Sequence, residues 1–231
     1  MKYGQFCPVA KASEVLSERW TLLVLRELLA GATRYRDLHR GLGRISPSVL
    51  SARLQALIEH GVIEKTESPA GHGTEYRLTP AGAELAPLIE AVGVWGQRWV
   101  RSRMTRDELD VEHLMLNVQR GLVPSAFPDQ HAVVGIVFSD LSGPTRRWWL
   151  LVDDGRTDVC TQRSGRHEDV TLTCRLRTLA EIVVGDTTLQ DAPASGRLQI
   201  RGTPKLVRSV QRWFGLSELA RVRPARVPSG P

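Results

Sequence analysis

The sequence predicts an amino-terminal domain dominated by α-helices with one small hairpin, joined to an α+β carboxyl-terminal domain built on a five-stranded sheet with helices. Three observations carry this prediction. Four helix-start signals come before any strand pattern, two short alternating runs then flank a Gly/Pro loop, and beyond residue 106 β-branched and aromatic runs alternate with helical stretches. The chain has 231 residues, 42% of them hydrophobic and 24% charged, which supplies enough apolar material for two cores and excludes a disordered chain. The expected domains are residues 1–104 and 107–220, with a linker near 104–107 and a basic tail over 221–231.

Each amino-terminal element has a local cause. Cys7-Pro8 opens a short amphipathic helix, since proline lacks the N–H that a first helical position leaves unpaired, and Val9, Ala12, Val15 and Leu16 share its face. Ser17 is expected to cap a second helix over residues 18–30, with Trp20, Leu23, Val24 and Leu28 as its buried stripe and Gly31 as its stop. Thr33 caps a third over 34–41, placing Tyr35 and Leu38 inward. Ser46-Pro47 starts a fourth that runs to His60, with Leu50, Leu54, Leu57 and Ile58 on one side and Gly61 at its end. Residues 62–67 and 74–78 then alternate on either side of a turn-rich segment and predict a hairpin. Thr79-Pro80 repeats the cap-plus-proline pattern and launches one long helix towards Arg103, carrying Leu85, Leu88, Ile89, Val92, Trp95 and Trp99. That stripe is longer than a small core needs, so part of it, Leu88, Val92, Trp95 and Trp99, is expected at a dimer interface, the alternative being that it only covers its own domain.

A short-turn helix pair followed by a hairpin is the layout of a winged helix-turn-helix. A helix about 10–12 Å across fits a major groove about 12 Å wide, and its amino end offers N–H groups and positive dipole to phosphate. Ser46 and Ser48 sit at that end of the fourth helix, and Ser48, Ser51, Ala52 and Gln55 lie opposite its leucines. Arg53 stands on the shoulder, able to bind guanine or phosphate, or alternatively to pair with a nearby Glu. Arg34 and Arg36 flank the start of the third helix, and His72 and Arg77 lie in or beside the hairpin, where backbone or minor-groove contact is expected.

The ordered series C-P-V-A, E-R-W-T-L-L-V-L-R-E-L-L-A-G, R-Y-R-D-L, I-S-P-S-V-L-S-A-R-L, L-I-E-H-G-V-I-E-K, E-Y-R-L-T-P-A-G and W-G-Q-R-W, spread over residues 7–100, closely resembles the HxlR branch of MarR-like bacterial transcription regulators. The resemblance implies a homodimer held by the first helix and the helix after the wing, bound to a pseudo-palindromic operator in double-stranded DNA. It places the recognition helix on residues 46–60 and the wing on 62–78. Some members of that family sense oxidants through a cysteine near the amino terminus, and Cys7 matches that position. A thiol at a helix N-cap sees the dipole that favours thiolate, yet no basic residue adjoins Cys7 in sequence, so a sensing and a structural role both stand.

Beyond residue 106 an amphipathic stretch over 108–119 precedes strands expected at 132–139, 146–153, 157–163, 169–175 and 197–201, with helices at 178–184 and 205–214. Through R-W-W-L-L-V-D-D-G-R, E-D-V-T-L-T-C-R, L-A-E-I-V-V-G and G-R-L-Q-I-R-G-T-P-K-L-V, this half is similar to the sterol-carrier-protein type 2 fold, a five-stranded sheet with helices around an apolar tunnel. Trp148, Trp149 and Leu151 make both faces of one strand apolar, which demands cover on each side or a void that would take an apolar small-molecule effector. Both outcomes stand.

Other function classes find little support. Cys7, Cys160 and Cys174 form no C-x-x-C pair, and His113, His131 and His167 are isolated, so neither a structural zinc site nor a catalytic constellation is expected, nor any cofactor. The longest apolar run, residues 132–138, is far below the roughly 20 residues of a membrane span, and the start lacks the apolar stretch of a secretion signal, so the expectation is a cytoplasmic protein with no membrane partner. Thirty-one basic against twenty-five acidic residues favour a polyanionic partner. Residues 196–231 hold eight of those basic residues, and both a solvated tail and a nucleic-acid contact fit them. The reading that follows is a dimeric DNA-binding transcription regulator under apolar-effector or thiol control. Its rival is a lipid or metabolite carrier whose helix-turn-helix is a protein-interaction module.

Overall fold

The computed structural model describes residues 3–68, 73–100, 109–162 and 165–225. The chain divides into two compact units, Met1–Trp95 and Gly96–Pro231, each with its own core. The linker expected at 104–107 lies outside the described residues.

In the first unit, α1 (Pro8–Leu16), α2 (Thr21–Leu29), α3 (Tyr35–Leu42) and α4 (Pro47–Glu59) precede the antiparallel strands β1 (Ile63–Glu67) and β2 (Thr74–Leu78), and α5 (Pro80–Ala83) and α6 (Ala86–Trp95) follow. Its core gathers Val24, Leu25, Leu28, Leu38, Leu50, Leu54 and Leu57. Three expectations need correction. Thr33 does not cap α3, whose N-cap is Arg34 with no side-chain cap bond. Ser17 does not cap α2: its hydroxyl donates back to the Ser13 carbonyl at 2.5 Å and closes α1, so α2 starts at Thr21 behind Trp20, which takes left-handed backbone (φ 78°). Leu23 accordingly rotates outward and Leu25 takes its place in the core. The long helix after the wing is also broken. Pro87 has no N–H for the carbonyl of residue 83, and its ring would clash with that carbonyl, so α5 stops at Ala83 and α6 begins afresh at Ala86. Residues Gly96–Val100, a π-helical turn carrying exposed Trp99, belong to the second unit, and residues 101–103 lie outside the described set.

Charge placement ties α2 to α3. Glu27 is fully buried, its carboxylate held by Arg26 at 2.7 Å, and it fills the space where a Cβ on Gly41 would lie. Arg26 reaches on to the Gly41 carbonyl at 3.4 Å.

The second unit holds α7 (Val111–Gly121), β3 (His131–Phe138), β4 (Arg147–Asp153), β5 (Arg156–Cys160), β6 (Val170–Cys174), α8 (Leu176–Val184), α9 (Asp191–Ala194), β7 (Leu198–Gly202) and α10 (Pro204–Trp213). The sheet order is β5-β4-β3-β6-β7, antiparallel except for the parallel pair β3 and β6. Asp154 and Gly155, both at positive φ, make the two-residue turn between β4 and β5 that the Asp-Gly pair predicts. The β5 strand ends at Cys160, three residues short of the expectation, and Arg163 falls outside the described residues. Alternation decides what each strand residue meets. Val134, Ile136, Phe138, Trp148, Leu150 and Val152 face the helices and pack with Met115, Leu179, Ile182 and Trp213.

On the opposite face Trp149 lies across from Gly135, and charged side chains cover both. The Glu168 carboxylate occupies the place of a Gly135 side chain, accepts from Trp149 Nε1 and Thr171 Oγ1 at 2.8 Å, and pairs with Arg147 at 2.9 Å, whose guanidinium also sits 5.7 Å from the Trp149 ring. Burial alone would raise the Glu168 pKa, but hydrogen bonds from Thr171, Trp149 and Arg147 outweigh it and hold the carboxyl below its usual range. Trp148 is therefore inside a packed core, and Trp149 is covered by an ion pair.

Candidate nucleic-acid interface

The α3–α4 pair builds the surface from short-range rules. Ser46, extended at φ −74° and ψ 149°, accepts from the Val49 amide at 3.4 Å with Pro47 behind it, which fixes the start of α4. Tyr35 at the head of α3 donates its hydroxyl to the Pro47 carbonyl at 2.9 Å and locks the two helix starts together. With Leu50, Leu54 and Leu57 buried, the helical period turns Ser48, Ser51, Ala52 and Gln55 to solvent. The Ser46 and Ser48 hydroxyls are 3.2 Å apart, and Gln55 donates to Glu59 at 3.0 Å.

Arg53 takes the other option that the sequence leaves open. It is 23% exposed and leans away from the outward face, its guanidinium 3.2 Å from Glu18 in the turn between α1 and α2. It lines a small cavity of about 180 Å³ with Glu14, Thr21, Ala56 and His60. Arg36 is exposed beside Asp37 at 3.7 Å. Arg40, one turn further along α3, and Arg44 in the turn before α4 are also exposed. The sequence reading passed over both, although the i, i+4 spacing of Arg36 and Arg40 puts them on one face.

The wing is anchored to the helices by backbone. The Tyr76 amide donates to the Thr33 carbonyl at 2.7 Å, and Arg34 forms an antiparallel bridge with Glu75. Arg34 is half-buried as the N-cap of α3, and Arg77 pairs with Glu75 at 2.7 Å. His72 lies outside the described residues. Glu75 also accepts from the Ser68 hydroxyl at 2.8 Å, and that bond, then Arg77 and Arg34, holds its carboxyl below the usual range. A depressed carboxylate contributes stability above its unfolded value, near 4.3, and that contribution is lost as pH falls through the folded value. Glu168 has the same sign in the second unit. The urea midpoints of both units are expected to hold steady from pH 7 to about 5 and to fall below about pH 4. Midpoints unchanged down to pH 3 would contradict this, and Glu75→Gln is expected to flatten the first unit's response only.

The face assigned to dimerisation is open in the single chain. Leu85 and Ile89 pack inward on the first core, while Leu88, Val92 and Trp95 on the other side of α6 are exposed, Trp95 at 59%. On α1, Val9 is 73% exposed, and Phe6 before it is 99% exposed. Cys7 directly precedes α1, half-buried and with no side-chain cap bond.

Residues 15–104 match the family model described as HxlR-like helix-turn-helix. The uncharacterized HTH-type transcriptional regulator YvaP of Bacillus subtilis is 35% identical over 104 residues, covering 43% of this chain and 94% of that one. The chain belongs to the HxlR-like helix-turn-helix family. Rv3095 of Mycobacterium tuberculosis, also named an uncharacterized HTH-type transcriptional regulator, is 41% identical over 95 residues, and the match spans 40% of this chain and 58% of that one. A solved MarR-family structure from Porphyromonas gingivalis W83 is 32% identical over 40% of this chain and 91% of its own, with a TM-score of 0.36. In this HxlR-like protein residues 120–215 also match the SCP-2 sterol transfer family model, so the helix-turn-helix domain is joined to an SCP2-like one. No described helix is long and apolar enough to cross a membrane.

Proposed function

We propose that this HxlR-like chain regulates transcription as a homodimer that lays two copies of α4 in successive major grooves of pseudo-palindromic duplex DNA. The observation that carries the reading is the solvent-facing side of α4, where a Ser46-capped amino end and the side chains of Ser48, Ser51 and Gln55 stand clear of the leucine core. Arg36, Arg40 and Arg44 supply exposed positive charge around it, suited to phosphate. Arg53 serves by holding α4 to Glu18, and Arg34 and Arg77 by holding the wing through Glu75. Val9, Leu88, Val92 and Trp95 form the dimer seam, because helix faces this apolar are covered in a stable protein. Two recognition helices about 34 Å apart then read two half-sites. Effector control falls to the SCP2-like domain, on condition that its ligand binds the DNA-competent and incompetent states unequally.

Selection of duplexes from a random pool with the full-length protein tests this. The expected outcome is an inverted-repeat site bound by two chains, with a log–log salt slope of roughly −0.9 per phosphate contacted. Gln55→Ala is expected to weaken it by about 1–3 kcal/mol, the worth of one base contact. Salt-independent or absent duplex binding would favour a carrier that uses its helix-turn-helix for protein contacts.

A further inference from the structure

The parallel strands β3 and β6 leave the sheet side by side, through Ser139 and Arg175, and a cavity of about 540 Å³ opens at their carboxyl ends. That volume lies within the roughly 300–1,000 Å³ typical of small-molecule sites. Trp148, Trp149 and Leu151 do not line it. Its lining is apolar over most of its area but carries several polar and cationic side chains. Arg175, Arg177 and Thr178 from the first turn of α8, Thr173 from β6, Glu181 from α8 and Arg197 ahead of β7 all border it.

Of these charges, Glu181 is matched by Arg197. Arg197 donates to Glu181 at 2.9 Å, to Thr187 at 2.8 Å and to Ser195 at 3.1 Å, which fixes its own position while neutralising Glu181. Arg175 is exposed at the rim and makes no ion pair among the described residues. Thr178 is only 5% exposed and makes no side-chain hydrogen bond among the described residues, yet its hydroxyl is not one of the occluded polar atoms, so an acceptor in the cavity that it borders could pair with it. The nine-residue α8 adds the positive end of its dipole from the same turn. Cys174 also borders the space, and burial, with Asp140 nearby, pushes its thiol up to about 12, so it stays neutral there. Asp140 itself is occupied by the Leu176 amide at 2.9 Å.

We propose that this cavity is an anion-binding site, taking the carboxylate or phosphate group of a small molecule on Arg175 and the Thr178 hydroxyl. Of the two outcomes left open for the double tryptophan, cover on both faces is the one observed, and the group proposed to bind is an anion at the sheet's end. Every lining residue belongs to the second unit, so the inference does not depend on operator binding.

Calorimetric titration of the full-length protein at low ionic strength tests it, with inorganic phosphate, decanoate, decyl phosphate and decanol as probes. Saturable binding of at least one anion is expected, with Arg175→Gln weakening it about tenfold or more and Thr178→Val by a smaller factor. Equal affinity for inorganic and decyl phosphate would identify a free anion, and binding of the two amphiphiles alone a headgroup with its chain. Neither substitution removes a described contact, and an unchanged thermal transition confirms the fold. No saturable anion binding, decanol binding as tightly as decanoate, or affinity unaltered in both variants would each overturn the proposal.

Discussion

Trp213→Ala is expected to cost the second unit about 3–5 kcal/mol, the range for truncating a fully buried tryptophan. The indole has no exposure, packs tilted against Phe127 with ring centroids 4.7 Å apart and donates its N–H to the Leu206 carbonyl at 3.1 Å. Around it the chain is sewn shut, since the Val123 amide donates to the Trp213 carbonyl at 2.9 Å and Leu122 bridges Phe214. Gly121 and Gly215 approach so closely that a Cβ on either would collide with the other's carbonyl, which keeps the surroundings from collapsing into the void. A domain of this size is stable by about 5–15 kcal/mol, so the loss takes a large share of the total. Thermal unfolding of the full chain is expected to show the second unit's transition lowered by roughly 10–20 °C. The first unit has a separate core and keeps its own transition. A drop smaller than about 1 kcal/mol would mean that the ring is not part of the cooperative core.

Gly82→Ala is expected to damage the first unit through a single methyl group. Its Cβ would lie 2.1 Å from the Val62 carbonyl oxygen and 3.0 Å from a Leu78 methyl. The first contact is with backbone, so no rotamer change relieves it. The Val62 carbonyl is also committed, accepting from the Thr79 amide at 3.1 Å, while the Thr79 hydroxyl donates to the Gly61 carbonyl at 2.6 Å and accepts from the Gly82 amide at 3.2 Å. Moving α5 outward therefore breaks the clamp that joins it to the foot of the wing. The cost is expected at or above the roughly 1–3 kcal/mol of ordinary overpacking, with weakened duplex binding as the wing shifts. A first-unit transition in Gly82→Ala equal to that of the unsubstituted chain would show that α5 repositions freely.

Both sites show which signals a sequence holds. Thr79-Pro80 and Ser46-Pro47 announce helix starts because capping and the missing proline N–H act within one turn, and α5 and α4 begin there. The Asp-Gly pair announces its turn for the same local reason, and the leucine spacing of α4 marks its outward face before any fold is known. The break at Pro87 was equally local and legible, and it was masked by an apolar stripe that continues across it. Ser17 misled because serine closes a helix through its own carbonyl partner as readily as it opens one.

What the sequence alone determined, then, is the order of the strands and of most helices and the leucine-free side of α4, since these rest on contacts within a turn or a strand period. The tertiary structure decided the partners of charges: Arg53 with Glu18, Arg77 with Glu75, and Glu168 laid over Gly135 beneath Trp149. It also decided where the second unit holds open space, because the cavity exists only once β3 and β6 pair in parallel and bring Ser139, Arg175 and Arg197 to one place. Periodicity carries no record of strand order, and long charged side chains choose among neighbours that only folding supplies.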